Sequence, residues 1–378
     1  MVILYIAIFL FVLYAILILY YWRSWQSIPE YVAVGENPNV NVTVVIPARN
    51  EEQNVRSCLA SVCNQEYPNE LLQIIMVDDS STDATWDLAQ KFSHGERQMS
   101  CIHLEEVGNS GFSAHKKRAI DAGIKLSQKE FIVTTDADCS HPHEWIKTIA
   151  SFCEQRNSAL IVAPVIFENN TSLLQMLQAL DFLVLQGITG ATVSKNIHTM
   201  CNGANLAYKK EAFDEVNGFE GIDRIASGDD MLLMYKIWRK YPTGVHYLKS
   251  KKAIVSTQPM KTWKEFLNQR IRWASKARFY KERRIFFVLL LVYLFNFSFL
   301  ALFLAGFWFP VLWLFLLGLW AAKTIVEFPF VNAVAKFFNK QYLLRYFFFF
   351  QPLHICYTIV AGCLGQFGRY EWKGRKVK

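Results

Sequence analysis

No two of the eight cysteines (Cys58, Cys63, Cys101, Cys139, Cys153, Cys201, Cys356 and Cys363) form a C-x-x-C pair. All sit among apolar residues, as reduced cytoplasmic thiols do, so neither a metal nor a disulfide is assigned to them. Residues 2–22 contain no charge, and no basic segment or small-residue cleavage site accompanies them, which excludes a cleaved signal peptide. Glycine is missing from "IPARNEE" (46–52), where a nucleotidyltransferase would carry a glycine-rich phosphate loop. Nucleic-acid-binding modules, internal repeats and low-complexity linkers are absent as well, so nucleic acid is not an expected partner.

What is abundant is apolar: 52% of the 378 residues are hydrophobic and 15% aromatic. They concentrate at the two ends, while the middle has the composition of a soluble protein. A soluble domain bracketed by membrane segments follows. As a helix, residues 2–22 would span about 30 Å, the thickness of the hydrocarbon core, so 1–23 reads as an N-terminal transmembrane anchor. Arg23 and a basic middle domain come next, which puts the N-terminus outside and the domain in the cytoplasm. Toward the other end, 285–308, 309–330 and 345–368 are each long enough to cross. They make a membrane block over 285–368 of two or three segments, ahead of a basic tail, 369–378. Three crossings from "KERR" (281–284) inside would leave that tail outside, against the positive-inside tendency. One segment is therefore expected to be re-entrant or interfacial, and Gln351, Pro352 and His354 single out the last. Lys323 and Glu327, four apart, pair or mark the polar end of the second. The net charge of +8 fits anionic headgroups and a phosphorylated substrate.

Between the membrane segments, strand and helix patterns alternate: strands over 41–47, 71–77, 100–106 and 131–136, helices over 51–65, 83–93 and 113–127. The alternation predicts an α/β fold with a mostly parallel sheet and helices on both faces. Ligands of such sheets bind outside the carboxyl ends of the strands, where "DDSSTD" and "DADC" fall. Farther on come a strand near 159–166, a helix over 172–188, a glycine-containing loop in 201–213 and a helix over 229–241. A hairpin or strand pair in 244–257 and a basic amphipathic helix over 261–284 complete the pattern.

"TTDADCSHPH" (134–143) sets Asp136 and Asp138 at the end of a strand. Such a pair either holds a hard divalent cation, whose other positions go to phosphate oxygens, or caps the next turn. His141 and His143 read as a helix start around Pro142, not as ligands. In "VDDSSTDAT" (77–85), Asp78 and Asp79 are acceptors matched to the donors of a nucleobase or ribose, and Asp83 reads as a helix N-cap. The aspartates of "GDD" (228–230) either cap a helix or supply a general base for an attacking hydroxyl. In "NQRIRWASK" (268–276), Arg270 and Arg272 suit a diphosphate, and Trp273 suits a sugar face or the membrane surface. The same stretch also reads as an interfacial helix with Phe266, Trp273, Ala277 and Tyr280 on its apolar face.

Taken in order, "VVIPARNEE", "VDDSSTD", "TTDADC", "NGANLAYKKEAFDEVNGF", "GDD" and "QRIRW" resemble the motifs of the membrane-bound family 2 glycosyltransferases, the last two as its base motif and its Q-x-x-R-W. The resemblance implies a GT-A fold, a Rossmann-like sheet with helices on both faces, here a cytoplasmic domain over 40–260, plus transmembrane helices in a bacterial inner membrane. It implies that Pro47, Arg49, Glu51, Asp78 and Asp79 line the nucleotide site, with Lys116 and Lys117 near the donor. Asp136 is the implied contact of the donor sugar or ribose, and Asp138 of a divalent metal, Mn2+ or Mg2+. Asp230 is the implied base, with Asp229 beside it; Gln269 and Arg272 meet the donor, Asn205 and Trp273 the acceptor. The motif reads G-D-D where some branches read E-D.

The implied reaction moves a sugar from a nucleotide-diphosphate sugar, UDP-linked by expectation, to a membrane lipid or lipid-linked acceptor, inverting the anomeric centre in one displacement. A processive polysaccharide synthase is the alternative; it needs a channel with polar lining, which a few Phe-rich segments scarcely offer. An inactive membrane scaffold would carry degenerate acidic motifs, and here they are intact.

Overall fold

The computed structural model describes residues 2–377 other than 34–37, 94–98, 108–113, 169–170, 198–199, 224, 226–227, 280–281, 368–369 and 373–374. In chain order the elements are α1 (Val2–Gln26), β1 (Val42–Ala48), α2 (Val55–Cys63), β2 (Leu72–Asp78), α3 (Thr85–Ser93), β3 (Met99–His103), α4 (His115–Leu126), β4 (Phe131–Thr134) and α5 (Trp145–Arg156). There follow β5 (Leu160–Val162), β6 (Val165–Phe167), α6 (Leu173–Val193), β7 (Leu206–Lys209), α7 (Lys210–Glu215), α8 (Met231–Lys240), β8 (Val245–Tyr247) and β9 (Val255–Thr257). The last are α9 (Trp263–Ser275), α10 (Arg283–Ala305), α11 (Val311–Phe337), α12 (Phe347–Phe367), β10 (Tyr370–Trp372) and β11 (Arg375–Val377). The chain divides into two compact units.

The first to consider, Ile28–Glu168 with Thr192–Gln258, is built on a seven-stranded sheet of order β3-β2-β1-β4-β7-β5-β8. Strands β3, β2, β1 and β4 are parallel, and β7 runs antiparallel to both β4 and β5. Val42, Val44, Val45 and Ile46 of β1 are fully buried, as a central parallel strand covered on both faces requires. β1 pairs with β2 along its whole length, Val42↔Leu72 to Ala48↔Asp78, but with β4 only over Val42–Val45. The carboxyl edge therefore splits between β1 and β4, and strand order reverses direction there, the place where open sheets receive ligands. Pro47 lies just past the end of the β4 ladder, where its missing N–H costs no pairing.

The predicted strands and helices of the first half are present within a few residues; Ser113, the expected start of the third helix, lies outside the described residues. Beyond them the pattern misleads in three places. The strand near 159–166 is two short ones, β5 and β6, interrupted at Pro164. The expected hairpin in 244–257 does not form: β8 joins the large sheet beside β5, and β9 pairs with β6 in a sheet of two. The helix over 261–284 ends at Ser275, and α10 starts afresh at Arg283; Tyr280 and Lys281 lie outside the described residues.

The second unit comprises Met1–Ser27, Asn169–Ala191 and Pro259–Lys378. Five helices among the described residues are long and apolar enough to cross a membrane: Val2–Gln26, Leu173–Val193, Arg283–Ala305, Val311–Phe337 and Gln341–Gln366. Leu173–Val193 was not read as such from the sequence. Lys323 and Glu327 pair at 2.7 Å inside this unit, with Tyr14 and Gln351 both hydrogen-bonded to Glu327. Gln351 and Pro352 thus do not break α12; the amide is buried and partnered.

Candidate active site

Within the sheet unit, three loops meet at the split carboxyl edge. Asp78 ends β2, Asp136 and Asp138 follow β4, and the antiparallel run of β7 returns Gly203 to the same end, since Leu206 pairs with Thr134. The loops after β1 and β2 are laced together: Asn50 Oδ1 accepts from the Thr82 amide at 2.9 Å, and the Asn50 amide donates to Ser81 Oγ at 3.0 Å. Asn50 (φ 50) and Ser80 (φ 53) are both left-handed, a conformation costly for side chains with a Cβ and found where surroundings enforce it. Arg49 clamps this arrangement through the Asp79 and Ser80 carbonyls at 2.5 and 3.1 Å. Asp83 caps α3 as expected, its Oδ1 accepting from the Thr85 amide at 3.0 Å. Burial, the largest single influence, raises the Asp83 carboxyl, but the hydrogen bonds from Thr85 and the Glu52 amide together outweigh it and hold it below the usual range.

Asp78 is fully buried. Its Oδ2 accepts from the Ser81 amide at 3.0 Å and lies 3.4 Å from His103 Nδ1, while Oδ1 has no hydrogen-bond partner among the described residues. A buried carboxylate oxygen left in this state is an acceptor prepared for a ligand's donor. Asp79 faces His115 Nδ1 at 3.3 Å, and Trp86 stacks on His103 with centroids 3.5 Å apart. Neither histidine was singled out in the sequence; His103 at the carboxyl end of β3 is where the strand-end rule would have found it. Glu51 is buried at the start of α2, its carboxylate accepting from Asn54 Nδ2 at 2.7 Å.

Lys116 joins two of the acidic motifs, at 2.6 Å from Asp136 Oδ1 and 3.2 Å from Asp229 Oδ2. Burial lowers the ammonium's affinity for its proton, yet the two aspartates outweigh this and raise it above the ordinary lysine value, so Lys116 is a fixed cation. Asp230 begins α8: Oδ1 accepts from the Met231 amide at 2.7 Å and Oδ2 from the Gly203 amide at 3.3 Å. Gly228 precedes them at φ 79, which only glycine adopts freely, and a Cβ on Gly203 would lie 3.2 Å from Asp229 Oδ2. Glycine at both positions lets the loops close on Lys116.

Two expected site residues are placed otherwise. Asn205 is fully buried, and its amide is spent inside the fold: Oδ1 accepts from Trp145 Nε1 at 2.9 Å, and Nδ2 donates to the Pro164 and Ala253 carbonyls at 2.8 and 2.7 Å. Lys117 is buried too, donating to the Ile222 and Ile225 carbonyls at 2.8 and 2.5 Å. His141 is a core residue, each ring nitrogen engaged, with Ser61 at 2.8 Å and Thr135 at 2.7 Å, and burial pushes its pKa down to about 3. Burial likewise raises the Cys58 and Cys139 thiols, in keeping with inert cysteines. Among the described residues no group of three or more His, Cys, Asp or Glu is placed to hold a metal.

In the helical unit, α9 carries "QRIRW". A capping box starts it, Thr262 and Glu265 answering each other's amides. Gln269 Oε1 is a buried acceptor with no partner among the described residues, and Trp273 is half-buried. Arg270, considered as a diphosphate ligand, is instead buried and paired with Asp181 at 2.7 Å.

Residues 43–216 match the glycosyl transferase family 2 domain, and residues 131–365 match glycosyl transferase family group 2. A probable glycosyltransferase of Bacillus subtilis, YdaM, is 26% identical over 299 residues, 75% of this chain and 68% of that protein. The glycosyltransferase AglE of Haloferax volcanii is 23% identical over 235 residues, 61% of this chain and 71% of that protein. Among solved structures, the mannosyltransferase PcManGT of Pyrobaculum calidifontis, in complex with GDP-Man and Mn2+, superposes with a TM-score of 0.57, covering 97% of this chain and 99% of that one. At 19% identity the likeness is one of fold, a GT-A-like sheet flanked by helices.

Proposed function

The chain belongs to glycosyl transferase family group 2, and from that premise we propose that it transfers one sugar from a nucleotide-diphosphate sugar, UDP-linked, to a membrane lipid or lipid-linked acceptor, inverting the anomeric centre. The observation that carries the donor side is the orphaned Asp78 Oδ1, a buried acceptor at the split sheet edge. Asp78 and Asp79, with Arg49, Pro47 and Glu51, form the nucleotide wall; Asp136 and Lys116 face the sugar diphosphate. Asp138 suits a hard divalent ion. With no three-residue cluster around it among the described residues, the remaining positions would go to donor oxygens and water, as Mg2+ and Mn2+ accept. A metal held by Asp138 would supply positive charge against the leaving diphosphate.

Asp230 takes the proton of the acceptor hydroxyl. Its oxygens accept from the Met231 and Gly203 amides, and a carboxylate offers about four acceptor sites, so the cap and the base are compatible roles. Gln269, whose Oε1 has no hydrogen-bond partner among the described residues, and Arg272 are assigned to the donor and Trp273 to the acceptor. A suitable test incubates detergent-purified protein with nucleotide sugars, cell lipids and Mn2+ or Mg2+, and follows nucleoside diphosphate release. Asp230→Asn is expected to lower kcat by about 10²–10⁴-fold while nucleotide affinity stays within a few-fold. Unchanged turnover in that variant would remove Asp230 from the chemistry.

The membrane arrangement we propose has three crossings, α1, α10 and α11. A single passage of α6 would put β4 and β7 on opposite sides, yet they pair over Phe131–Thr134 in one sheet. Tyr14 of α1 packs 4.6 Å from Phe295 of α10 and bonds Glu327 of α11, so those residues stand at one height. α12 meets that height twice, where Gln351 bonds Lys323 and Glu327, and where Gly362 abuts the Tyr293 ring. About 16 Å of helix separates those two points, so α12 lies across α10 and α11 and not along them. This supports the expectation that the last segment does not cross, with the basic tail 369–378 on the cytoplasmic side as the positive-inside tendency favours.

A further inference from the structure

Asp181 stands in the middle of an apolar helix, α6, and no step of sugar transfer uses it. Three polar groups from two other helices converge on it. Arg270 Nη2 of α9 lies 2.7 Å from Oδ2, the Tyr357 hydroxyl of α12 donates to Oδ1, and His354 Nε2 of α12 is 3.7 Å from Oδ1. Arg270 is 5% exposed and Asp181 7%, so both charges have left water. Replacing such a pair by apolar side chains is often neutral or stabilising, which makes stability a poor reason for its presence. What the pair does locally is visible on α9. The guanidinium held by Asp181 lies over two rings of its own helix, 4.3 Å from the centre of Trp273 and 4.9 Å from that of Phe266. Phe182, next to Asp181, closes on Trp273 at 6.2 Å, and Tyr357 meets Phe266 edge-on at 5.0 Å. The indole thus packs against a cation that another helix anchors.

We propose that Asp181 is a positioning residue of the transferase: by fixing Arg270 over Trp273 it presets the orientation of the indole that receives the acceptor. The inference rests on the assignment of Trp273 to the acceptor. It requires Arg270 to be a guanidinium, since a lysine would keep the charge near Asp181 but lose the planar group.

The test uses the full-length protein in detergent, with three readouts: acceptor kcat/KM, hydrolysis of the nucleotide sugar by water without acceptor, and nucleoside diphosphate affinity. Asp181→Asn and Arg270→Lys are each expected to lower acceptor kcat/KM by about 10- to 100-fold, with the other two readouts within about twofold. Asp181→Glu should recover part of the loss. Tyr357→Phe, a milder removal of one partner, should show the same selectivity at smaller size. Combining Asp181→Asn with Trp273→Ala should do no more harm than Trp273→Ala alone, because both act at one point. Independent, multiplying effects, or equal losses in all three readouts, would overturn the positioning role. If Trp273→Ala leaves acceptor kcat/KM unchanged, the acceptor assignment fails first. If it impairs transfer while Asp181→Asn and Arg270→Lys do not, the assignment stands and this inference falls.

Discussion

Asn205 and Lys117 stand inside motifs that resemble a donor and acceptor site, yet both give their polar groups to backbone carbonyls. A polar residue in a matched motif shows what chemistry it owns, and only packing shows where that chemistry is spent. The Asp83 cap was legible because a position at a helix start already fixes what lies within reach, and Asp78 stands at the strand end where its position puts it. Asn205→Ala is therefore expected to act on stability. It strands Trp145 Nε1 and two buried carbonyls, a loss of about 3 kcal/mol in unfolding, while acceptor KM in the folded fraction stays unchanged; thermal melts and kinetics separate the two. His141 supplies a pH signature. Its folded pKa, about 3, lies well below the ordinary value near ~6.5, so between these limits the unfolded chain binds a proton that the folded one refuses. This contribution to stability is complete above pH ~6.5 and is lost toward pH ~3, by about 1.4 kcal/mol per pH unit. His141→Gln should flatten that slope in melts at pH 7.5, 6.5 and 5.5; an unchanged slope would assign it to other groups.

Helices and strands of the first half follow the sequence closely because period and caps agree there, as in α3 with Asp83 and β1 with its buried valines. Agreement fails where local pattern does not decide. The stretch from 276 to 282 stays basic and aromatic, so nothing in its periodicity marks the break between α9 and α10. β8 and β9 read as a hairpin because they are close in sequence, but each finds a partner elsewhere, in β5 and β6. In α12, Gln351 looked like an obstacle to burial until Lys323 and Glu327 supplied its partners. The transverse course of α12 makes a prediction at this scale. A cysteine added after Lys378, in a variant lacking Cys101, Cys201, Cys356 and Cys363, should react with a membrane-impermeant maleimide in inverted vesicles and not in intact spheroplasts. Labelling from the outer face instead would make α12 a fourth crossing.

As a whole the molecule pairs a sheet unit, which carries the acidic loops, with a helical unit assembled from three stretches of chain, 1–27, 169–191 and 259–378. The GT-A-like fold was readable from alternating strands and helices, and composition alone pointed to long apolar helices at both ends of the chain. The insertion of α6 into the helical unit was not readable, because a buried helix of moderate hydropathy has the same period whichever unit receives it. The proposed three crossings and transverse helix would offer little room for a polymer channel, which is the ground for proposing a lipid acceptor over an extruded polysaccharide. The direct measurement is mass spectrometry of products after the purified protein has exhausted a nucleotide sugar in the presence of cell lipids. The account predicts a lipid heavier by one sugar residue, joined with inverted anomeric configuration and absent with Asp230→Asn. A ladder of masses rising by repeated sugar units, or product with the donor's configuration retained, would contradict it.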